Sequence, residues 1–149
     1  MGMFDFHITI VFDGARISSE NSLWKIAGNT EIPEKDIHVI LSESRGIKRI
    51  KDNFYKSKSD AEIYLHNNDL SEVVGIEIKG MLGNIDKNSE EIFKIISRLK
   101  ECYSFKTFIQ SEVCETGSGE ELSEKIKTIY RETYLIYQKS LKIHGRRKL

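Results

Sequence analysis

Residues 4–12 read FDFHITIVF, and the alternation in that run constrains the chain more than any other feature. Phe4, Phe6, Ile8, Ile10 and Phe12 fall on one side, and Asp5, His7, Thr9 and Val11 on the other. A period of two is a strand with one face buried. Such a strand belongs to a sheet, and an apolar sheet face needs a second layer over it. Residues 89–103 supply the layer. There the period changes to 3.6, and Ile92, Ile95, Ile96, Leu99, Cys102 and Tyr103 form one stripe. Asn88 stands as its cap, with Glu90 and Glu91 in the first turn where the helix dipole favours acids.

The remaining segments read less sharply. Gly14 ends the first strand, and a short helix is expected over 19–27, with Leu23, Trp24, Ile26 and Ala27 as its apolar side, Ser18 and Ser19 as caps and Gly28 as its stop. Strands are expected at 37–41, at 46–55 with Ile50 and Phe54 on one face, at 73–79 and at 105–113. Ser59 and Glu62 have capping-box spacing, so 57–68 reads as a helix, with a hairpin strand as the alternative. Ser118 and Glu121 open a last helix over 121–143, with Gly145 as its cap. The sum is an α+β two-layer fold, a mostly antiparallel or mixed sheet with helices on one face. Two strand–helix–strand pieces, 4–41 and 73–113, allow a ferredoxin-like sheet with an insertion. One domain is expected over 1–144, followed by a basic tail at 145–149. The open sheet face should be polar, carrying Asp5, His7, Thr9, Glu77, Lys106, Gln110 and Glu112.

Composition narrows the function class. A chain of 149 residues with 39% hydrophobic content can bury one core, and no run of 18 apolar residues would cross a membrane as a helix. Two cysteines make neither a disulfide framework nor a four-thiolate zinc site. The start, Met-Gly-Met-Phe-Asp, lacks the basic and apolar parts of a signal peptide, so a cytoplasmic location is expected.

Candidate chemistry is sparse. His7 follows Asp5 on the same strand face, an arrangement that can orient an imidazole for base catalysis. The segment His7-Ile8-Thr9-Ile10 also resembles the His-x-Thr-hydrophobic pattern of two-histidine phosphoesterases. That family needs two such motifs, and His38, followed by Val39-Ile40-Leu41, lacks the hydroxyl. A surface histidine is the preferred reading of His7. Cys102 lies on its helix stripe as a buried thiol, and Cys114 stands near Glu112 and Glu115, whose charge disfavours a thiolate. No metal-ligand spacing is present, and no metal or cofactor is expected. The Thr116-Gly117-Ser118-Gly119 loop lacks the Lys-Ser/Thr of a phosphate cradle and runs into Glu120 and Glu121, so it reads as a cap.

Charge is balanced in sum and uneven in place. Residues 139–149 hold five basic side chains and no acid, leaving 18 basic and 23 acidic residues, a body of −5. The expected function is therefore protein binding without catalysis: a bacterial immunity protein, or a similar toxin-neutralising regulator, occluding a basic partner. Its contact residues would be Glu120, Glu121, Glu124, Tyr130, Tyr134 and Tyr137 on or near the last helix, which could also mediate a homo-oligomer. The alternative is a nucleic-acid-binding module using Arg45, Lys48, Arg49, Lys51, Lys56 and Lys58, among which Phe54 and Tyr55 are interleaved. A phosphoesterase using His7 ranks third. No membrane partner is expected.

Overall fold

In the structure, a computed structural model, residues 5–20, 23–81, 85–109, 112–114 and 128 are described. Seven strands form one sheet in the order β4-β5-β6-β7-β1-β8-β9, and every ladder in it is antiparallel. Its members are β1 (Asp5–Phe12), β4 (Ile47–Lys51), β5 (Phe54–Ser57), β6 (Glu62–Asn67), β7 (Val73–Met81), β8 (Phe105–Ile109) and β9 (Glu112–Cys114). β2 (Ala15–Glu20) and β3 (Leu23–Gly28) pair separately as a hairpin. Two helices, α1 (Glu34–Glu43) and α2 (Ile85–Cys102), complete the described elements. The fold is α+β, as the alternating and 3.6-period patterns imply. Neither described helix is long and apolar enough to cross a membrane.

Both helices lie on one sheet face. Ile8, Ile10 and Phe12 of β1, Ile76 and Ile78 of β7, and Ile63 and Leu65 of β6 form one core with Ile37 and Leu41 of α1 and with Ile92, Ile95, Ile96 and Leu99 of α2. Phe12 anchors one end, its ring edge-on to Tyr103 and to Phe105 at 5.7 Å each. Such T-shaped pairs add to simple area burial.

Several expected elements are corrected. In place of the helix expected over 19–27, residues 19–20 and 23–27 belong to the paired strands β2 and β3, whose base Gly14 and Gly28 close at φ +93° and +136°. A Cβ on Gly14 would meet the Asn29 carbonyl oxygen at 2.1 Å, and one on Gly28 the Gly14 carbonyl oxygen at 2.3 Å. The glycine read as a helix stop is therefore required by a close backbone approach. Residues 37–41 are helical: Ile37 and Leu41, four apart, are buried, while Val39 is exposed. A five-residue apolar run fits either period, and burial against the sheet decides it here.

Residues 46–55 are two strands joined at Asp52-Asn53, with Ile50 exposed and Tyr55 fully buried. The stretch 57–68 is mainly strand β6, the alternative to the preferred helix. The run 105–113 is likewise two antiparallel strands. Cys102, expected in the core, is exposed at the end of α2. Among the described residues of 4–41 there is no strand–helix–strand unit, since paired strands β2 and β3 follow β1 and 37–41 is helical, so the first half expected of a ferredoxin-like sheet is not found there. The expected helix over 121–143 and the tail at 145–149 lie outside the described residues, apart from Thr128.

Candidate functional site

The face turned away from the helices is organised in rows, which the strand registers define. Lys48 pairs with Lys56, Lys56 with Glu62, Glu62 with Lys79 and Lys79 with His7, so these five stand in line across β4, β5, β6, β7 and β1. The next row runs Lys51, Phe54, Tyr64, Glu77, Thr9 and Phe108. The third holds His66, Gly75, Val11 and Lys106. Directly opposed residues on one face have Cβ atoms about 5 Å apart, so each row is a line of neighbouring side chains.

The β2–β3 hairpin covers the third row. Val11, Val74 and Ile26 make a small second core there, with Ala15 and Phe108 against it. Gly75 is what admits it, because a Cβ at that position would lie 2.4 Å from Ile26 Cδ1. The hairpin thus forms a wall at one end of the face and leaves the first two rows beside a shallow groove of about 660 Å³.

In the groove, the rings of Phe54 and Tyr64 stack at 4.8 Å and 14°. Lys79 Nζ sits 5.6 Å from the Tyr64 ring centroid, within cation–π range. The Tyr64 hydroxyl donates to Glu62 Oε2 at 3.2 Å, and burial with the nearby Glu62 carboxylate pushes its phenol pKa up. Beside this pair, Glu77 is held between two histidines. His7 Nε2 is 2.8 Å from Glu77 Oε1, and His66 Nε2 is 2.8 Å from Oε2. Thr9 Oγ1 lies 3.4 Å from the same His7 nitrogen.

Burial by itself would push the Glu77 carboxyl up, but the hydrogen bonds from His66 and His7, followed by their charges, outweigh it and hold the pKa at about 2. An ionised carboxylate accepts only, so both rings carry their proton on Nε2 when neutral. The Glu77 side chain is 10% exposed, against 36% for His7 and 33% for His66. The anion is sunk in the sheet and the imidazoles form its rim.

This geometry weighs against a two-imidazole acid–base pair. The Nε2 atoms are no more than about 8 Å apart, being tied to the two oxygens of one carboxylate. Both are engaged by Glu77. Among the described residues, no group of three or more His, Cys, Asp or Glu could hold a metal ion.

The basic stretch 45–58 is not one surface. Lys48, Lys51 and Lys56 reach the open face. Arg45 and Lys58 line a different groove, with Glu43, Glu91, Lys94 and Arg98. Arg49 donates to the Lys51 and Asp52 carbonyls at 3.4 and 2.8 Å, and so braces the turn between β4 and β5. Tyr55, expected beside Phe54 as a stacking residue, is in the core, where His38 Nδ1 partners its hydroxyl and His38 Nε2 meets Glu34 Oε1 at 3.0 Å. That chain satisfies a buried phenol. His7, expected as a surface histidine, stands partly exposed on the open face and also hydrogen-bonds a sunken carboxylate.

Sequence reasoning missed Tyr64, His66 and Lys79 as site residues. The only available signal was their alternation on β6 and β7, which does not reveal which strands are neighbours. Glu120, Glu121, Glu124, Tyr130, Tyr134 and Tyr137 lie outside the described residues. Comparison of the chain with protein families, with curated proteins and with solved structures gives no match, so the functional reading rests on geometry and chemistry.

Proposed function

We propose that the protein binds single-stranded nucleic acid on the open face of its sheet. The observation that supports this is the first row: Lys48, Lys56, Lys79 and His7, scattered along the chain, stand in one line with a single acid, Glu62, among them. At about 4.8 Å per strand the row spans roughly 19 Å, enough for a few successive phosphates. The Phe54–Tyr64 pair in the next row offers apolar ring surface to the attached bases, the usual partner of a cationic track in sequence-tolerant recognition of single strands. On this face Lys48, Lys51, Lys56, Lys79 and Lys106 outnumber the acids Glu62, Glu77 and Asp52. Glu31, Glu34 and Glu72 cluster around the start of α1, in a separate groove.

The test is binding of labelled oligouridylate and oligodeoxythymidylate at several salt concentrations. Affinity should fall steeply with salt, and Phe54→Ala should cost about 1–3 kcal/mol at constant fold. A salt-independent interaction, or unchanged affinity in a folded Lys48→Ala/Lys56→Ala variant, refutes the proposal.

The immunity-type reading is the second proposal, supported by the body charge of −5 and by the acidic and aromatic residues 120–137. In it a basic toxin domain binds, and Tyr134→Ala or Tyr137→Ala raises the dissociation rate. Both proposals describe a protein that acts by binding and not by turnover.

A further inference from the structure

The His7–Glu77–His66 cluster adjoins the cationic row, with His7 paired to Lys79 across β1 and β7. An imidazole is the side chain whose ordinary titration falls in the neutral range. Among the described side chains, the charged groups around the cluster are Glu62 with the phenol of Tyr64 on β6, Lys79 on β7 and Lys106 on β8, with Lys51 and Asp52 where β4 meets β5. The hairpin presents the apolar Ile26. With both rings neutral, Glu77 contributes an uncompensated negative charge beside the row. With both rings protonated, the cluster is net positive, and His7 extends the cationic line by one position.

We propose that His7 and His66 make strand binding on this face proton-linked, so that a phosphate over the Lys79–His7 pair is held well when the imidazoles are charged and poorly when they are neutral. This rests on the proposed binding of single strands to the open face. The sign follows from the charges. Protons and phosphates are taken up together, so affinity is full at low pH and is lost as the rings deprotonate. Two unit charges at roughly 7–8 Å from a phosphate, in a largely aqueous setting, together change affinity about tenfold.

The experiment is fluorescence anisotropy with a rhodamine-labelled twelve-residue oligouridylate, from pH 5.5 to 8.0 at constant ionic strength. The expected result is an affinity about tenfold lower at pH 8.0, and a nearly flat profile for the His7→Gln/His66→Gln variant, with its fold checked by circular dichroism. Should the double variant fail to fold, each single variant must lose part of the slope. Glu77→Gln should bind more tightly than the native protein at pH 8.0, because it removes the anion and keeps both rings. A flat native profile, or a slope that survives loss of the imidazoles, overturns the proton linkage and leaves strand binding standing. Absence of binding at every pH overturns the strand-binding proposal itself.

Discussion

On β7 the residues facing the helices are Ile76 and Ile78, fully buried, while Gly75, Glu77 and Lys79 face the other way. The same backbone therefore supports two unlike surfaces 180° apart. On the helix side, isoleucines from three adjacent strands meet the stripes of α1 and α2, and any of several apolar side chains of similar volume would serve. On the open side the identity of each residue matters, since Gly75 admits Ile26, Glu77 gathers two imidazoles, and Lys79 joins the cationic row. The first surface sets stability through volume, and the second sets interactions through chemistry. Substitutions on the two sides should separate accordingly.

The largest effect is expected on the helix side. Ile78→Ala removes a buried side chain from the middle of the core and should cost about 2–5 kcal/mol in urea unfolding, with strand affinity per folded molecule unchanged. A loss below 1 kcal/mol would mean that the two faces do not differ as described.

Glu77 comes next. Its folded pKa of about 2 lies below the ordinary carboxylate value, so its ionised form is bound more favourably in the folded state. The resulting stability, at most about 3 kcal/mol, is present above about pH 4.5 and is lost as the pH falls from 4.5 towards 2. The melting temperature of the native protein should therefore converge on that of Glu77→Gln across this window. Parallel curves would remove the carboxylate from the stability of the face.

Gly75→Ala should cost about 1–3 kcal/mol by pushing Ile26 and the hairpin away, while the first row, four residues along the strands, keeps its affinity. Lys79→Ala should have the smallest effect on stability, within about 0.5 kcal/mol, because Lys79 is an exposed side chain away from both cores. Its readout is instead a salt slope reduced by about 0.7 in oligouridylate binding. A shift in stability without a shift in slope would assign Lys79 to packing against Tyr64 alone.

The alternation of residues 4–12, the run 73–79 and the stripe from Ile92 to Leu99 were legible because each is long enough for its period to show, and Ile8, Ile10, Phe12, Ile76 and Ile78 share the helix-side core with that stripe, although Val11 and Val74 enter the second core under the hairpin. From these follow the α+β class, the side taken by the helices and the polarity of the open face, on which His7, Thr9, Glu77 and Lys106 indeed stand. Residues 19–27 and 37–41 were not legible. Each holds only a few apolar residues, compatible with either period, and the choice was made by contacts remote in sequence: Gly14 against Gly28 for the first, and Ile37 with Leu41 against the sheet for the second.

Of the site, the sequence by itself determined the residue types on each strand face and the basic excess of 45–58. Tertiary structure decided the rest. It divided that stretch between two grooves, buried Tyr55, and lined up positions 48, 56, 79 and 7 in one row. It also set Glu77 between His7 and His66. The physical reason is that alternation specifies which way a side chain points but carries no information about which strand lies alongside or in what register. Those depend on the whole sheet's packing against α1 and α2, and a shift of one residue in any ladder would turn that strand's polar face towards the helices.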